Sequence, residues 1–180
     1  MRLYLVRHAR PENVTDTDPP LGTEGIEEAK MLGRLFADLH LPPESLKIIS
    51  SPLQRARQTT THICQGIAAA DEVYTFPKSE EWSPSNLLKN RLMRHLKKIT
   101  REEGCSEIIV VGHFDYLSKS LAWLVGHDAL SFPNPYGATA CLTCDLAFGQ
   151  GTGVPDWLVV PVVLVDPQDG VNAEASVADQ

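Results

Sequence analysis

Three places in the chain put anion-binding or nucleophilic side chains at the end of a short apolar run. Arg7 and His8 follow Leu3-Tyr4-Leu5-Val6. Arg55 lies about one turn into a segment opened by Ser51-Pro52-Leu53-Gln54, directly after Lys47-Ile48-Ile49-Ser50. His113 follows Ile108-Ile109-Val110-Val111 through Gly112. A guanidinium presents a planar fork that matches phosphate oxygens bidentately, and an imidazole can donate, accept or attack near neutral pH. Two of each at strand ends describe an anion site and are hard to explain as structural decoration. The bland reading of any one of these places is a capped strand with surface polar residues; their number weighs against it.

The elements that must position these residues can be read from the pattern. Leu3 to Val6 and Ile108 to Val111 are continuous apolar runs, as expected of strands buried on both faces of a parallel sheet. In open α/β sheets ligands bind at the carboxyl ends of such strands. Pro11 to Leu21 is a polar loop beside His8 and a candidate wall of the pocket. Ile26, Ala29, Leu32, Gly33, Phe36 and Leu39 recur at helical spacing, with Thr23 placed to cap that helix. Lys47 to Ser50 is a second strand. Ser51 as cap, Pro52 at the first helical position and Gln54 closing a capping box predict the next helix, and its N-terminus favours anions beside Arg55. A third strand is expected over Glu72 to Phe76. Ser83-Pro84 is expected to open a helix with Leu88, Leu92, Leu96 and Ile99 inward, ended by Gly104. A helix over Asp115 to Val125 buries Leu117, Leu121, Leu124 and Val125. After a Gly/Pro loop from Gly126 to Gly137, Ala138 to Phe148 and Trp157 to Val165 read as closing strands, with Pro161 placing the second at an edge or bulge. The alternation predicts an α/β three-layer sandwich, a mainly parallel sheet with helices on both faces. Residues 1–166 are expected to form a single domain and 167–180 a frayed tail.

Composition narrows the class. The chain has 180 residues, 43% hydrophobic and 22% charged, with a formal net charge of -7. One domain with a real core fits that length. The charge balance argues against a nucleic-acid partner, and no run is apolar for long enough to span a bilayer, so neither nucleic acid nor membrane is expected and a cytoplasmic setting is the default. Cys141-Leu142-Thr143-Cys144 has the C-x-x-C form but falls in an expected strand. There an offset of three sends the two thiols to opposite faces, which argues against a metal or redox pair.

Taken together, Arg7-His8-Ala9, Ser51-Pro52-Leu53-Gln54-Arg55-Ala56-Arg57-Gln58-Thr59, Gly112-His113 and Leu21-Gly22-Thr23-Glu24-Gly25 resemble the motifs of the histidine phosphatase (phosphoglycerate mutase-like) superfamily. The short length and few insertions are most similar to the SixA-type phosphohistidine phosphatases. The resemblance implies that His8 attacks phosphorus, forms a phosphohistidine and is freed by water. Arg7, Arg55 and a protonated His113 would then hold the nonbridging oxygens. It implies no cofactor and no metal, the cationic side chains standing where a nucleotide-dependent enzyme would use magnesium. The expected partner is a phosphate-bearing substrate, first a phosphohistidine protein, with a small phosphate monoester as the alternative. A noncatalytic phosphate-binding relative is a third reading. A sugar-phosphate mutase fits less well, since little insertion length is left to build a lid.

Two departures from the family pattern stand out. Ala9 replaces the glycine after the nucleophile and is expected to tighten the space beside the phosphate. Many superfamily esterases carry a glutamate after the third strand as general acid; Glu81, or less well Glu80, lies in that segment and has a solvated loop residue as its bland alternative. Asn13 and Arg10 in the loop after His8 are candidates for substrate contact. Arg57 points away from Arg55 at an offset of two. His40, His62, His95 and His127 have no charged motif around them and are expected at the surface or at caps.

Overall fold

The computed structural model describes residues 1–67, 73–75, 87–127, 129–145 and 150–161. In chain order the elements are β1 (Arg2–Arg7), α1 (Thr23–Asp38), a 3-10 turn (Pro43–Ser45), β2 (Leu46–Ser50), α2 (Gln54–Ile67) and β3 (Val73–Thr75). They continue with α3 (Leu87–Glu103), β4 (Glu107–Gly112), α4 (Phe114–Val125), β5 (Thr139–Cys144) and β6 (Gly153–Val159). The strands form one sheet in the order β3-β2-β4-β1-β5-β6.

The sheet is mixed. β1 with β4, β4 with β2 and β2 with β3 are parallel, whereas β5 runs antiparallel to β1, and β6 to β5. The chain between Cys144 and Gly153 is too short for the crossover that a parallel neighbour requires, so β6 can only return as the second arm of a hairpin.

Helices cover both faces, as expected. Alternation along the central strands sorts their side chains into two cores. Leu3, Leu5, Ile108 and Val110 pack with Leu92, Leu96 and Ile99 of α3 and Leu117, Leu121 and Leu124 of α4. Tyr4, Val6, Ile109 and Val111 pack on the other face with Leu32 and Phe36 of α1 and Ala56 and Ile63 of α2. Every one of these strand residues is fully buried, which is why both runs are apolar without alternation. Cys141 belongs to the second core and Cys144 to the first, so the two thiols lie on opposite faces.

Several boundaries differ from the sequence reading, each for a local reason. Gly22, not Thr23, is the N-cap of α1, and no side chain caps it. Its N–H instead donates to the Arg10 carbonyl at 3.1 Å, which docks the helix start on the segment after His8. The N-terminal cap of α2 is likewise not local: the Gln54 N–H donates to Asp18 Oδ1 at 2.8 Å, and the helix begins at Gln54. A carboxylate from the loop is a stronger cap than a hydroxyl, and the Ser51 hydroxyl meets the Leu53 N–H just before the helix at 3.3 Å. β5 stops at Cys144 and β6 at Val159, leaving Pro161 beyond the strand. The proline inside β6 is Pro155, opposite Leu142 where the register shifts. His40 follows the C-cap of α1 at a positive φ of 49°, with its Nδ1 2.7 Å from the Asp38 carbonyl, a capping role as expected. The expected start of α3 at Ser83-Pro84, the segment with Glu80 and Glu81, and the tail from 167 lie outside the described residues. No helix among the described residues is long and apolar enough to cross a membrane.

α1 and α2 approach backbone to backbone. A β-carbon at Gly33 would lie 2.6 Å from the His62 carbonyl oxygen, closer than van der Waals contact permits. Gly33→Ala is therefore expected to destabilise the fold by about 1–3 kcal/mol, the usual cost of overpacking. Urea unfolding measures it, and a loss within experimental error would show that the two helices separate freely.

Candidate active site

Parallel pairing of β1, β4 and β2 brings the three sequence motifs to one edge. The chain keeps the strand ends joined one residue beyond the regular ladder: the His8 N–H donates to the Gly112 carbonyl and the Ser51 N–H to the Val111 carbonyl, both at 2.9 Å. His113 then serves as N-cap residue of α4 with extended backbone. The His8 and His113 ring centres come within 5.0 Å, inclined at 60°.

His8 is 6% exposed, and both of its ring nitrogens are engaged. Nδ1 lies 2.8 Å from the Ala9 carbonyl oxygen. A carbonyl can only accept, so Nδ1 carries the proton and Nε2 keeps its lone pair. That lone pair accepts a hydrogen bond from Arg55 Nε at 3.3 Å. Burial is the main force on the imidazole: despite the Ala9 carbonyl, which favours the cation, it holds the pKa down at about 3, with His113, Arg55 and Arg7 adding to the lowering. His8 is thus a neutral imidazole with an oriented lone pair.

Arg55 projects from the first turn of α2, where its Nη1 also lies 3.4 Å from Asp18 Oδ1. The same carboxylate therefore caps α2 and pairs with the guanidinium. Thr59, one turn further, accepts from the Ala9 N–H at 3.0 Å and donates to the Arg55 carbonyl at 2.8 Å, tying the nucleophile's segment to the helix that carries the cation. Arg7 donates through Nη1 to Asn134 Oδ1 at 2.8 Å and lies 4.1 Å from the centre of the Tyr136 ring. Burial weakens the hold of both guanidiniums on their protons, but an arginine stays charged at any physiological pH.

His113 shares a hydrogen bond of 2.8 Å between Nε2 and Ser51 Oγ, and that oxygen also accepts from the Leu53 N–H. Burial first, then Arg55 and Arg7, push its pKa down to about 4. Beside two guanidiniums in a desolvated site the neutral ring is favoured, whereas the protonated His113 expected from the resemblance belongs to a site that holds phosphate oxygens. A phosphate dianion would oppose that effect.

The structure brings Arg7, His8, Arg55 and His113 together. Arg10 is drawn away to α1, pairing with Glu24 at 3.1 Å and with Glu28 at 3.6 Å, and Asn13 lies exposed in the loop. Glu81 falls outside the described residues. The Ala9 methyl is fully buried in an apolar contact with Leu21 and Ala29, so it packs toward α1 instead of tightening the space beside a phosphate. Sequence reasoning missed Asp18, Thr59, Asn134 and Tyr136 as members of the site. Asp18 did lie in the loop read as a pocket wall and Thr59 in the motif opened by Ser51, while Tyr136-Gly137 carried only a turn signal. Among the described residues, no group of three His, Cys, Asp or Glu side chains is placed to hold a metal ion.

With this geometry in hand the likeness to known proteins can be read. Residues 3–87 match the family model of the histidine phosphatase superfamily, branch 1. The match takes in Arg7, His8 and Arg55 and ends before His113. The match carries the enzyme class expected from the sequence, a histidine phosphatase. The fold of the chain is similar to that of the protein histidine phosphatase SixA complexed with tungstate, with a TM-score of 0.73 at 21% identity over 89% of this chain and 97% of that one. It is also similar to a putative phosphohistidine phosphatase SixA from Agrobacterium tumefaciens, with a TM-score of 0.67 at 23% identity over 89% and 98%. A mycobacterial glucosyl-3-phosphoglycerate phosphatase shares the fold at a TM-score of 0.63 and 15% identity over 88% and 97%. No curated protein matches the chain by sequence.

The depressed imidazole pKa values have a measurable consequence. An unfolded histidine takes up a proton near its ordinary value of about 6.5, whereas His8 does so only near 3 and His113 near 4. Below about pH 6.5 the unfolded state then binds more protons, so stability from these two rings is complete above that pH and is lost as pH falls toward the folded values. Titration followed by NMR is expected to show both rings neutral from pH 8 to about 5, and stability of a His8→Gln, His113→Gln double variant should fall less steeply with acid than that of wild type. Protonation of either ring near pH 6.5 would contradict the assignment.

Proposed function

We propose that the chain is a metal-independent phosphatase acting through a phosphohistidine on His8, with phosphohistidine on a protein as its preferred substrate in a cytoplasmic setting. The observation that carries this reading is the state of His8: Nδ1–H committed to the Ala9 carbonyl, and Nε2 turned to Arg55 with its lone pair intact.

In the first step the Nε2 lone pair attacks phosphorus in line. The phosphorus–nitrogen bond forms as the bond to the leaving group breaks, and the leaving imidazole or alkoxide departs opposite His8 with the electron pair. Arg55 gives up its bond to Nε2 and donates to a nonbridging oxygen instead, beside Arg7 and His113. Once phosphorylated, His8 carries a proton on Nδ1 and phosphorus on Nε2 and is therefore cationic. The Ala9 carbonyl, already the partner of Nδ1, stabilises that charge. Water then attacks phosphorus, the phosphorus–nitrogen bond breaks, and inorganic phosphate leaves with His8 neutral again. The guanidiniums supply the charge stabilisation that a metal would otherwise supply.

Support for a phosphohistidine substrate comes from the named activity of SixA, whose fold the chain shares along nearly its full length. An imidazole also leaves more readily than an alkoxide and needs less help from a general acid. The fold is shared with a glucosyl-3-phosphoglycerate phosphatase as well, which supports a small phosphate monoester as the second reading. Since the Ala9 methyl packs away toward Leu21, the departure at that position gives little support to a noncatalytic relative.

His8→Ala is expected to abolish turnover and labelling by a phosphoryl donor; label retained on that variant would remove the mechanism. Arg55→Ala should cost about two powers of ten in kcat/KM or more, the scale of losing one transition-state donor, and a loss under about tenfold would put Arg55 outside the reaction. Glu81→Gln distinguishes the substrate classes. On a phosphohistidine protein it should slow kcat/KM by less than about tenfold, whereas on an ester that needs its leaving oxygen protonated the loss should approach 100-fold. Esters cleaved faster than the phosphoprotein, with the large Glu81 effect, would favour the second reading.

A further inference from the structure

Arg7 is held differently from Arg55. Its Nε is buried without a hydrogen-bond partner among the described residues, and no carboxylate balances its charge at ion-pair distance there. Two groups from a single turn hold the guanidinium instead. Asn134 accepts from Nη1 at 2.8 Å, and the Tyr136 ring lies 4.1 Å from Cζ, with Phe114 further off at 5.5 Å.

The turn itself is built into the end of β1. Its closing bond runs from the Ala138 N–H to the Pro135 carbonyl at 3.4 Å, and Gly137 at the third position has a φ of 67°. That conformation marks a turn whose third residue must enter the left-handed region, so Tyr136 stands at the preceding corner. The Gly137 N–H then donates to the His8 carbonyl at 3.2 Å, and the Arg7 N–H to the Ala138 carbonyl at 2.9 Å. Tyr136 is therefore fixed by the backbone of the two residues it faces. Its ring centre is 5.5 Å from that of His8.

We propose that Tyr136 is a positioning residue for the phosphate clamp, its ring face holding the Arg7 guanidinium in the orientation that meets the phosphate, with Asn134 fixing the other end of the fork. A carboxylate in this place would hold Arg7 equally firmly, but it would compete for the cation and repel the substrate's anionic oxygens. An aromatic face attracts the cation through its quadrupole and brings no net charge. The desolvated guanidinium then keeps its charge for phosphate. This inference rests on the proposed phosphatase reading and adds to it a residue outside the motifs by which the chain resembles its family.

The test uses the full chain, with inorganic phosphate as the probe in calorimetry and with kcat/KM on a small phosphate ester and a phosphohistidine protein measured beside it. Tyr136→Leu is expected to weaken phosphate binding about tenfold, within the roughly 3- to 30-fold that a cation–π contact is worth as it passes from exposed to desolvated, and to lower kcat/KM at least as much. Tyr136→Phe, which keeps the ring and loses only the hydroxyl, should stay within about twofold of wild type. In an Arg7→Ala background, Tyr136→Leu should change phosphate affinity by less than about twofold, since the residue acts through Arg7. Asn134 is exposed, so Asn134→Ala should fold normally, and it should weaken phosphate binding in the same Arg7-dependent way. Tyr136→Leu with unchanged phosphate affinity, a loss in the Phe variant as large as in the Leu variant, or an equal loss without Arg7 would each overturn the proposal. Arg7-dependent loss of phosphate affinity in a protein that turns over neither substrate would uphold Tyr136 while overturning the phosphatase reading. A wild-type chain that binds no phosphate would overturn both.

Discussion

Four nitrogen-rich side chains meet at one edge of the sheet, where among the described residues Asp18 is the carboxylate at ion-pair distance from the cluster, and that crowding of desolvated groups governs much of the structure around it. Left alone, two guanidiniums and two imidazoles would repel one another and pull in water. The fold answers with neutral or distributed partners. Both imidazoles stay uncharged, Arg7 rests on an amide oxygen and an aromatic face, and Arg55 shares the Asp18 carboxylate with the start of α2. A site arranged in this way retains a strong attraction for an anion, because its own groups have not neutralised it.

The rigidity needed for this arrangement comes from the core. Leu3 to Val6 and Ile108 to Val111 are buried on both faces, so neither strand can slip without carrying apolar groups through a packed layer. Register fixed in the core is register fixed at the strand ends. The added bonds from His8 to Gly112 and from Ser51 to Val111 extend that precision one residue into the site. α1 has a comparable part on the outer side. It receives the Arg10 N–H on the buried Glu28 at 2.7 Å, which fixes the chain just after the nucleophile.

The residues legible in the sequence were those whose role is local. An apolar run ending in Arg and His states its own burial and its own polar terminus, and the central strands and the two arginines and two histidines of the site could be named from that pattern. What escaped was whatever depends on contacts distant along the chain. Ser51 looks like a cap for α2 in the sequence, but folding has its hydroxyl serve His113 as well as the Leu53 N–H and brings Asp18 from the preceding loop to the helix start. Tyr136 and Asn134 sit in a Gly/Pro loop whose composition predicts a turn and nothing about what the turn faces. The direction of the last two strands was likewise hidden, since an apolar or mixed run does not record whether its neighbour is parallel. What burial beside two arginines does to the His113 pKa is likewise a property of the assembled site.

The proline that interrupts the outermost of the described strands on the β6 side bears on how this protein behaves among its own copies. Pro155 carries no backbone donor, and it lies where the pairing with β5 shifts register beside Leu142. Val154 and Leu158 of the same strand are exposed, which in a regular strand would invite a second chain to add itself to the sheet. A missing donor and a local kink break the row of hydrogen-bonding groups that such an addition would follow. The sheet therefore ends in a strand that is apolar enough to pack yet poorly suited as a template, its row of donors interrupted at Pro155 and its next residue, Asp156, carrying an exposed carboxylate.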